Sequence, residues 1–222
     1  MARTGYTEAE RRAKREEFLD AAVQVFENDG GIDAVSFRNV AAVAGCSYSA
    51  PYRYFSGKEE LICAMRARAY RWLEKALRDA IDPNGDPRSQ LETVANAYIQ
   101  AGLQRPGMYA LMLFQKDSEF AHRSIELKAA RHDSLQACVE VIAAGQASGF
   151  LPKTTDALTA AHMFWIGAHG LVSLQVGGQF VMGRSVEQLA PILIQWLETG
   201  LENHSGGKFE ESSAGKFSAR KS

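Results

Sequence analysis

Residues 36–58 combine the side chains that contact phosphate groups. Between Ala34 and Lys58 the sequence contains no Asp or Glu, while Arg38, Arg53 and Lys58 supply three positive charges. Serine and tyrosine hydroxyls are spaced between these cations, and such hydroxyls, like Arg and Lys, donate hydrogen bonds to phosphate oxygens. The free N–H groups at the start of a short helix bind phosphate in the same way. The segment therefore predicts a local surface that binds the backbone of a nucleic acid.

Two histidines, His162 and His169, are seven residues apart and so share one face of a helix. A zinc site needs three or four ligands that converge at short distances, and the sequence supplies no third His, Cys or Asp for this pair. We therefore predict no metal and no cofactor. Apolar walls with a few polar groups are typical of a ligand pocket, although plain helical core is the competing interpretation. The candidate pocket residues are Tyr98, Tyr109, Met112, Phe114, Trp165 and His169.

Cys138 is the residue that a catalytic interpretation would use, with a histidine as its base. The sequence shows no glycine-rich nucleophile turn, no pair of carboxylates at a useful spacing and no phosphate loop to support it. We predict no catalytic residue. The three cysteines, Cys46, Cys63 and Cys138, are an odd number at wide spacings without a C-x-x-C pair, which is typical of reduced thiols in a cytoplasmic protein.

Two short helices joined by a tight turn would present residues 36–58 on a surface. Ser36 can cap a first helix whose apolar residues fall on one face, and Gly45 can end it in the left-handed conformation. Ser47 or Ser49 can then cap a second short helix that carries an aromatic run. This pattern predicts a helix-turn-helix, whose second helix enters the major groove of DNA, and an ordinary helical hairpin is the alternative.

The remaining sequence is typical of a helical, globular protein. Its 222 residues are 46% hydrophobic, which is enough for a sizeable core. The formal net charge of −1 excludes a protein coated with basic charge, so nucleic-acid binding must use a local patch. The first helix starts near Thr7, which forms a capping box with Glu10. Helical periodicity and the absence of any long strand pattern predict an all-α fold.

Breaks in the helical pattern divide the chain into four parts. Two prolines and a glycine within residues 81–87 form the strongest break. Beyond them we predict helices over residues 88–104, 106–114, 118–148, 155–177 and 186–203. We assign a helix-turn-helix domain to residues 1–57, a connecting helix to 58–80, a helical ligand-binding and dimerisation domain to 81–203, and a disordered tail to 204–222.

The segment between Asp156 and Arg184 contains no charged residue and is long enough to cross a bilayer. Polar residues and glycines recur through it, and polar groups are costly in hydrocarbon. We therefore predict no membrane contact. A helix buried within the protein, or between two copies of it, is the better interpretation.

Residues 18–61 resemble the DNA-binding domain of the TetR (tetracycline-repressor) family of bacterial regulators. The agreement in order and spacing covers Phe18 to Phe26, Asp29-Gly30, Val40-Ala41, Ala44-Gly45, Ser47, Tyr52 to Phe55 and Lys58 to Leu61. The resemblance implies a three-helix DNA-binding domain, a fourth helix that joins it to a helical ligand-binding domain, and a homodimer. Trp165 to Leu171 also resembles the Trp, His and Gly signature of one C-terminal subtype.

The resemblance implies phosphate contacts at Ser36, Tyr52 and Lys58, and groove contacts from the second helix. Pro51 departs from the family pattern, because a residue that keeps its N–H is more usual there; Ser49 as the cap would place Pro51 in the tolerated first turn. The predicted DNA-binding residues are Ser36, Arg38, Ser47, Tyr48, Ser49, Ala50, Tyr52, Arg53, Tyr54 and Lys58. The last two helices are expected to form an intermolecular four-helix bundle. The predicted dimer residues are His162, Phe164, Leu171, Leu189, Leu193 and Trp196.

These features favour a regulator that binds double-stranded operator DNA as a homodimer and is released by a small apolar effector. Because the basic patch is small, one copy should bind weakly and two copies at fixed spacing are needed. One alternative is the same regulator without a small-molecule ligand, controlled by a partner or by thiol oxidation. Another is a helical enzyme that uses Cys138 or a histidine.

Overall fold

The computed structural model describes residues 6–28, 30–82, 84–113 and 116–203, apart from the side chains of residues 87 and 88. In these residues the regular structure is helical and no strand is present, which confirms the predicted all-α fold. Two 3-10 turns, Gly31–Asp33 and Pro51–Arg53, accompany the α-helices. The α-helices are α1 (Glu8–Asn28), α2 (Phe37–Val43), α3 (Lys58–Ala80), α4 (Pro87–Gln104), α5 (Pro106–Leu113), α6 (Glu119–Arg123), α7 (Ile125–Ala147), α8 (Ala157–Val176) and α9 (Val186–Asn203).

Helix α1 starts where its capping pattern predicts. The Thr7 N–H donates to the Glu10 carboxylate at 2.7 Å, and the Glu10 N–H donates to Thr7 Oγ1 at 3.2 Å, which is a reciprocal capping box. Phe18 and Leu19 begin the buried stripe of this helix, which packs on α2 and α3. Burial of this stripe removes large apolar side chains from water and holds the N-terminal helices together.

Helix α2 also follows its sequence signals. Ser36 Oγ accepts a hydrogen bond from the Asn39 N–H at 3.2 Å, and Gly45 has a φ of 64° directly after the helix. That left-handed conformation costs glycine little and strains other residues, because glycine has no Cβ. The turn of the predicted helix-turn-helix therefore depends on Gly45.

The second short helix of the sequence prediction is a 3-10 turn instead. Its hydrogen bonds run from residue i to i−3, from Ala50 to Ser47, from Arg53 to Ala50 and from Tyr54 to Pro51. Pro51 has no N–H, so it cannot donate to the Ser47 carbonyl as an α-helix requires. The predicted serine caps are also absent, because Ser47 and Ser49 contact each other at 3.4 Å and Ala50 holds the N-cap position.

Helix α3 is continuous from the end of the helix-turn-helix into the second half of the molecule. It contacts α1, in part through Arg68, and packs along α7, α4 and α5. The predicted helix over residues 118–148 is split into α6 and α7. Ser124 causes the break, since its backbone is extended and its side chain accepts a hydrogen bond from the Leu127 N–H at 3.2 Å.

Helices α3, α4, α7 and α8 enclose the second hydrophobic region, with α9 packed on the outside of α8. Gly102 of α4 marks the closest approach in this region. A Cβ built there would lie 2.5 Å from Val172 Cγ1 and 3.0 Å from Tyr109 Cδ2, and both of these residues are fully buried. Only glycine allows α4 to approach α8 this closely without repacking.

Helix α8 is the charge-free segment of the sequence. Its length and apolar composition would suffice to cross a membrane, but a third of it is buried inside the protein. The buried face, which includes Ala161, Phe164 and Val172, packs against α4 and α7. Its outer face and that of α9 expose large apolar side chains. These are Met163, Ile166 and Leu174 on α8, and Ile192 and Trp196 on α9.

Candidate nucleic-acid interface and internal cavity

Most of the predicted DNA-binding residues are exposed and lie in or next to the helix-turn-helix. We call this set the recognition surface. Its exposed members are Arg38, Ser47, Tyr48, Ser49, Tyr52, Arg53 and Lys58. Ser36 is half-buried at the N-cap of α2, where its side chain accepts the helix N–H described above. The surface offers three cations and several hydroxyl donors to a phosphate backbone.

Two predicted contact residues support this surface from behind. Tyr54 is half-buried, and its ring centroid lies 5.2 Å from that of Phe18 in the core. Ala50 is half-buried against the same core. Tyr52 is held differently, because its ring stands edge-on to Phe37 at 4.4 Å while most of the side chain remains exposed. Tyr54 and Ala50 thus also support the surface from the core side, and Ala50, Tyr52 and Tyr54 all stay predicted DNA contacts.

The first turn of α3 carries Lys58 of the recognition surface at the positive end of the helix. Glu60 accepts hydrogen bonds from the backbone N–H and the hydroxyl of Ser56, at 2.7 and 2.6 Å, so its carboxylate is already engaged. Lys58, at the first helical position, is exposed. The positive end of a helix dipole and a lysine together favour an anion at this position.

A cavity of about 360 Å³ lies between α3, α4, α7 and α8, with the end of α5 closing one side. This volume falls within the usual range for small-molecule sites. Its walls are mostly aliphatic and aromatic. The lining residues are Tyr70, Leu73, Leu77, Leu91, Val94, Ala95, Tyr98, Met112, Leu113, Arg131, Ser134, Leu135, Cys138, His162, Phe164, Trp165 and Ala168.

Some of the predicted pocket residues line the cavity, and others are hydrogen-bonded to the lining residues. Tyr98, Met112 and Trp165 line the cavity. Tyr109 and His169 do not line it, but they connect to it by a directed series of hydrogen bonds. Trp165 Nε1 donates to Tyr98 Oη at 3.1 Å, Tyr98 donates to Tyr109 Oη at 3.5 Å, and the Tyr109 hydroxyl is bonded to His169 Nδ1. Phe114, also predicted, is outside the described residues.

Burial controls the protonation of this series. It raises the pKa of both Tyr98 and Tyr109, so each phenol keeps its proton, and it lowers the pKa of His169. A neutral imidazole can accept at Nδ1, which matches a Tyr109 hydroxyl that receives a hydrogen bond from Tyr98 and passes its own onward. His169 is therefore a neutral member of the network that fixes one wall of the cavity.

Sequence reasoning missed the polar cluster beside the cavity. Arg131 binds the Asp117 carboxylate through both terminal nitrogens, at 2.9 and 2.7 Å, and buried Arg66 binds the same carboxylate at 2.7 Å. The hydrogen bonds from Arg131, and secondly those from Arg66, hold the pKa of Asp117 well below its usual range. Arg66, Asp117 and Arg131 are far apart in sequence. The only sequence signal for their cluster was Arg131, a charged residue on the otherwise apolar side of α7.

A second ionic cluster joins the helix-turn-helix to the cavity helices. Glu126, in the first turn of α7, accepts from Arg15 of α1 at 2.7 Å and from Arg71 of α3 at 3.1 Å. Arg15 also lies over the ring of Phe55, 5.1 Å from its centroid. A weaker contact, Arg105 with Glu27 at 3.4 Å, joins the other end of α1 to α4.

The predicted dimer residues are not all on an exposed face. Phe164 and Leu171 are only 3% and 8% exposed inside the protomer, and His162 and Phe164 line the cavity. Burial of Phe164 and Leu171 within the protomer counts against these two as dimer contacts, whereas His162 is half-buried and stays a prediction. Leu189 and Leu193 are half-buried, and Trp196 is 71% exposed. The outer residues of α8 described above, which the sequence reasoning missed, complete this face.

Cys138 lies in the cavity wall without a group that would activate it. Burial raises the pKa of its thiol to about 12, so the thiol stays protonated at neutral pH. Burial also raises the pKa of Cys63, which is 3% exposed. Two of the three cysteines are therefore poor nucleophiles. In the described part of the chain, no three His, Cys, Asp or Glu side chains are grouped closely enough to hold a metal ion.

Comparison with known proteins adds two family matches. Residues 18–65 match the family model described as bacterial regulatory proteins, tetR family, and residues 91–197 match the model described as tetracyclin repressor-like, C-terminal domain. The first match covers the helix-turn-helix and the start of α3. The second covers most of the cavity helices.

Curated relatives match over less than half of this chain. The nicotine-responsive transcriptional repressor HdnoR of Paenarthrobacter nicotinovorans is 28% identical over 85 residues, which are 38% of this chain and 43% of that protein. The transcriptional regulator BetI of Brucella anthropi is 32% identical over 81 residues, or 36% and 41%. The chain thus spans less than half of the length of these relatives.

Solved structures match over nearly the whole fold. A protein of unknown function from Rhodococcus sp. RHA1 has a TM-score of 0.74 at 27% identity, covering 85% of this chain and 95% of that one. The regulator FadR from Bacillus subtilis, solved in complex with stearoyl-CoA, has a TM-score of 0.68 at 16% identity, covering 83% and 98%. At that identity the second likeness concerns the fold alone.

Proposed function

The chain belongs to the TetR family of bacterial regulators, and from this premise we propose that it is a homodimeric, ligand-responsive repressor that binds a palindromic operator. One observation carries the proposal. Helix α3 begins at the recognition surface and, twelve residues later, forms a wall of the cavity through Tyr70. A molecule in the cavity therefore contacts the helix on which the DNA-binding residues depend. We propose the domain division given above on the same basis.

The recognition surface supports the DNA-binding step. All four side chains are exposed, and we propose that Tyr52 and Lys58 contact the phosphate backbone and that Arg53 and Tyr48 contact base edges in a major groove. A net protein charge of −1 makes a single copy a weak binder. Two copies held about 34–36 Å apart would place one recognition surface in each of two successive major grooves.

The exposed apolar faces of α8 and α9 support the dimer. Met163, Ile166 and Leu174 are spaced so that they share one side of α8, and Trp196 extends this side from α9. Two copies of this helix pair would form a four-helix bundle that covers the apolar surface. Such a bundle also accounts for the apolar composition of α8 without a membrane, and the protein would act in the cytoplasm, where operator DNA is found.

The cavity supports control by a small molecule. Its volume and apolar walls suit a molecule of modest size. One curated relative is nicotine-responsive, and one protein of similar fold was solved with stearoyl-CoA, so regulators of this kind use ligands of different chemistry. The likeness of Trp165 and His169 to a Trp, His and Gly subtype gives these residues a proposed place beside the effector, with Trp165 as wall and His169 as support.

The effector acts by binding one conformation better than another. If the cavity closes on its ligand only when α3 is turned away from the DNA-binding position, the ligand releases the operator. The change in operator affinity cannot exceed this difference in ligand affinity.

The alternatives receive less support. An apolar cavity counts against a regulator that has no small-molecule ligand, since a filled core is expected there. The raised pKa values of Cys63 and Cys138 count against control by oxidation of those thiols and against a cysteine nucleophile. The named relatives are transcriptional regulators, and none is named as an enzyme.

Operator binding tests the proposal. The purified full-length protein should footprint a palindromic site near its own gene, and Arg53→Ala should weaken binding by about 1–3 kcal/mol through lost base contacts. Lys58→Ala should weaken binding to all sequences and lower the slope of log affinity against log salt by about one. The measurements are footprinting and fluorescence anisotropy over a salt series.

Arg123→Ala provides the matched control, because Arg123 is an exposed arginine on α6, away from the recognition surface. It should leave both affinity and salt slope unchanged. A dimer that binds no DNA from its gene neighbourhood even at low salt, or an Arg123 variant as weak as the Arg53 variant, would contradict the proposed function.

A further inference from the structure

The cavity contains one permanently charged side chain, that of Arg131. None of the described residues that line it is Asp or Glu, and its other polar members are neutral hydroxyls, a thiol, an indole and the His162 imidazole. A mostly apolar cavity that keeps an arginine in its wall is unusual, because placing a charge beside apolar surface is costly unless a partner compensates it. The acidic groups of the protein compensate the charge of Arg131 only in part.

Asp117 is the acid that Arg131 contacts, and it is shared. Arg66, which is only 3% exposed, binds the same carboxylate, so two guanidinium groups face one negative charge. The group of three carries a net charge of +1. Since charges interact more strongly near a protein interior than in water, this excess is felt in the adjacent cavity.

Arg131 also keeps unused donors. A guanidinium has five N–H groups, and Asp117 takes one from each terminal nitrogen of Arg131. The Nε atom is buried and meets no acceptor among the protein atoms in the described part of the chain, so the donors that remain for a ligand are the second N–H groups of the two terminal nitrogens. The Tyr70 ring lies against the guanidinium, 5.7 Å from centroid to Cζ, so the group is held in place. The Arg131 guanidinium is therefore a fixed cation that still has N–H groups to donate.

Building on the proposed function, we propose that the effector is an apolar acid whose carboxylate is recognised by Arg131. The aliphatic and aromatic walls contact the apolar body of the molecule. Its carboxylate neutralises the net charge of +1 that Arg66, Arg131 and Asp117 carry together. Each terminal nitrogen of Arg131 has a second N–H beyond the one given to Asp117, and a charge-assisted bond from it to a carboxylate is stronger than a bond to a neutral acceptor. A neutral ester of the same shape lacks this attraction, and a cationic analogue is repelled.

Calorimetric titration of the full-length protein with paired probes tests the ligand class. The probes are decanoate and 2-naphthoate, each compared with its methyl ester, so that a flexible and a rigid body are both represented. We expect at least one acid to bind about tenfold or more tightly than its ester, which is the usual effect of a hydrogen bond to a charged group. Decyltrimethylammonium should not bind.

Two substitutions assign the preference to Arg131. Arg131→Gln should remove most of the difference between acid and ester, and Arg131→Lys should restore part of it by returning the charge without the fork. Arg123→Gln is the matched control and should keep the full preference. A cavity-filling change, Ala95→Leu, should weaken acid and ester alike, which places both in the cavity.

The comparison of acid with ester in the unmodified protein needs no variant, so a misfolded Arg131 variant leaves the test intact. Equal binding of acid and ester, failure of both acids to bind, or a preference that survives in folded Arg131→Gln would overturn the proposal. Operator binding is measured in parallel. If the esters release operator DNA as well as the acids do, the proposed function stands, but recognition of a carboxylate by Arg131 is excluded.

Discussion

Half-buried His169 is joined to the cavity wall by a series of hydrogen bonds. Its Nδ1 is bonded to the Tyr109 hydroxyl, and Tyr98 and Trp165 continue the series to the cavity wall. Protonation of the imidazole would place a hydrogen on Nδ1 and turn the acceptor into a donor. The network in its present form therefore requires a neutral His169.

We expect the stability of the protein to fall on mild acidification, in part because of this histidine. Burial lowers the pKa of His169 below its ordinary value of 6.5, so the unfolded chain binds the proton more readily than the folded one. The loss should begin near the unfolded pKa and end below the folded one. Denaturant unfolding measured between pH 8 and 5 should show a shallower pH dependence for His169→Gln than for the unmodified protein.

The internal comparison for this experiment is the alkaline range. Above pH 7.5 both the folded and the unfolded histidine are neutral, so the two proteins should then show parallel pH dependence even if their stabilities differ. An unchanged slope in the acidic range would show that His169 does not couple to folding.

The caps of the first two helices were predictable at the residue scale, whereas the polar groups of the cavity were not. Ser36 and the Thr7–Glu10 pair act on residues three positions away, so local sequence is sufficient to define their geometry. Asp117 and Arg66 are 51 residues apart, and their contact depends on how α3 lies against the loop before α6. Sequence periodicity carries no information on that arrangement.

At the scale of elements, α7 connects the two functional regions. Its first turn holds Glu126, which binds Arg15 of α1 and Arg71 of α3, and its next turns present Arg131 and Cys138 to the cavity. Arg15 also packs on Phe55, a buried residue between Arg53 and Lys58 of the recognition surface. A shift of α7 on ligand binding would therefore change a contact of the DNA-binding helices directly.

We expect Glu126→Gln to loosen α1 from the cavity helices. Both ion pairs are partly exposed, so the loss of stability should be modest, about 1 kcal/mol. Amide hydrogen exchange in α1 should accelerate more than exchange in α8, since the contact with α1 is the one that is weakened. Exchange with mass-spectrometric detection measures this by segment.

Glu140→Gln is the matched control for that substitution. Glu140 is another acid of α7 and accepts a hydrogen bond from Arg78 of α3 at 2.9 Å, without any contact to α1. Its loss should leave α1 exchange as it is in the unmodified protein. Equal acceleration of α1 exchange in the two variants would mean that Glu126 has no specific role there.

Element positions followed from the sequence better than element types. The bounds of α3, α4 and α9 agree with the periodicity because proline, glycine and apolar spacing define them locally. The turn at Pro51 was expected to be an α-helix, since the consequence of one missing N–H depends on the residues around it. Ser124 likewise gave no sign that it would cap a new helix instead of lying within one.

At the scale of the whole molecule, the proposed dimer depends on the outer faces of α8 and α9. Trp196 is the largest exposed side chain on this face. We expect Trp196→Glu to weaken dimerisation by about 2 kcal/mol or more, as removal of a central aromatic residue commonly does. The protomer should remain folded because Trp196 is outside its core. Sedimentation equilibrium measures the first effect and circular dichroism the second.

The control substitution is Ile125→Glu, which places the same charge at another exposed apolar residue, at the start of α7. It should leave the dimer intact. The Trp196 variant should also lose operator affinity, because a single recognition surface binds weakly. A Trp196 variant that remains dimeric would exclude this face as the interface.

The continuity of α3 gives the molecule a mechanical property. Leu77, in the cavity wall, is nineteen residues beyond Lys58, and at 1.5 Å per residue the two are about 28 Å apart along one rigid rod. A pivot of only about 7° at the cavity end would carry the other end through about 3.4 Å, which is the rise of one base pair. A ligand that shifts the cavity wall by a fraction of an ångström close to the pivot could thus move the recognition surface by about one base pair relative to its operator.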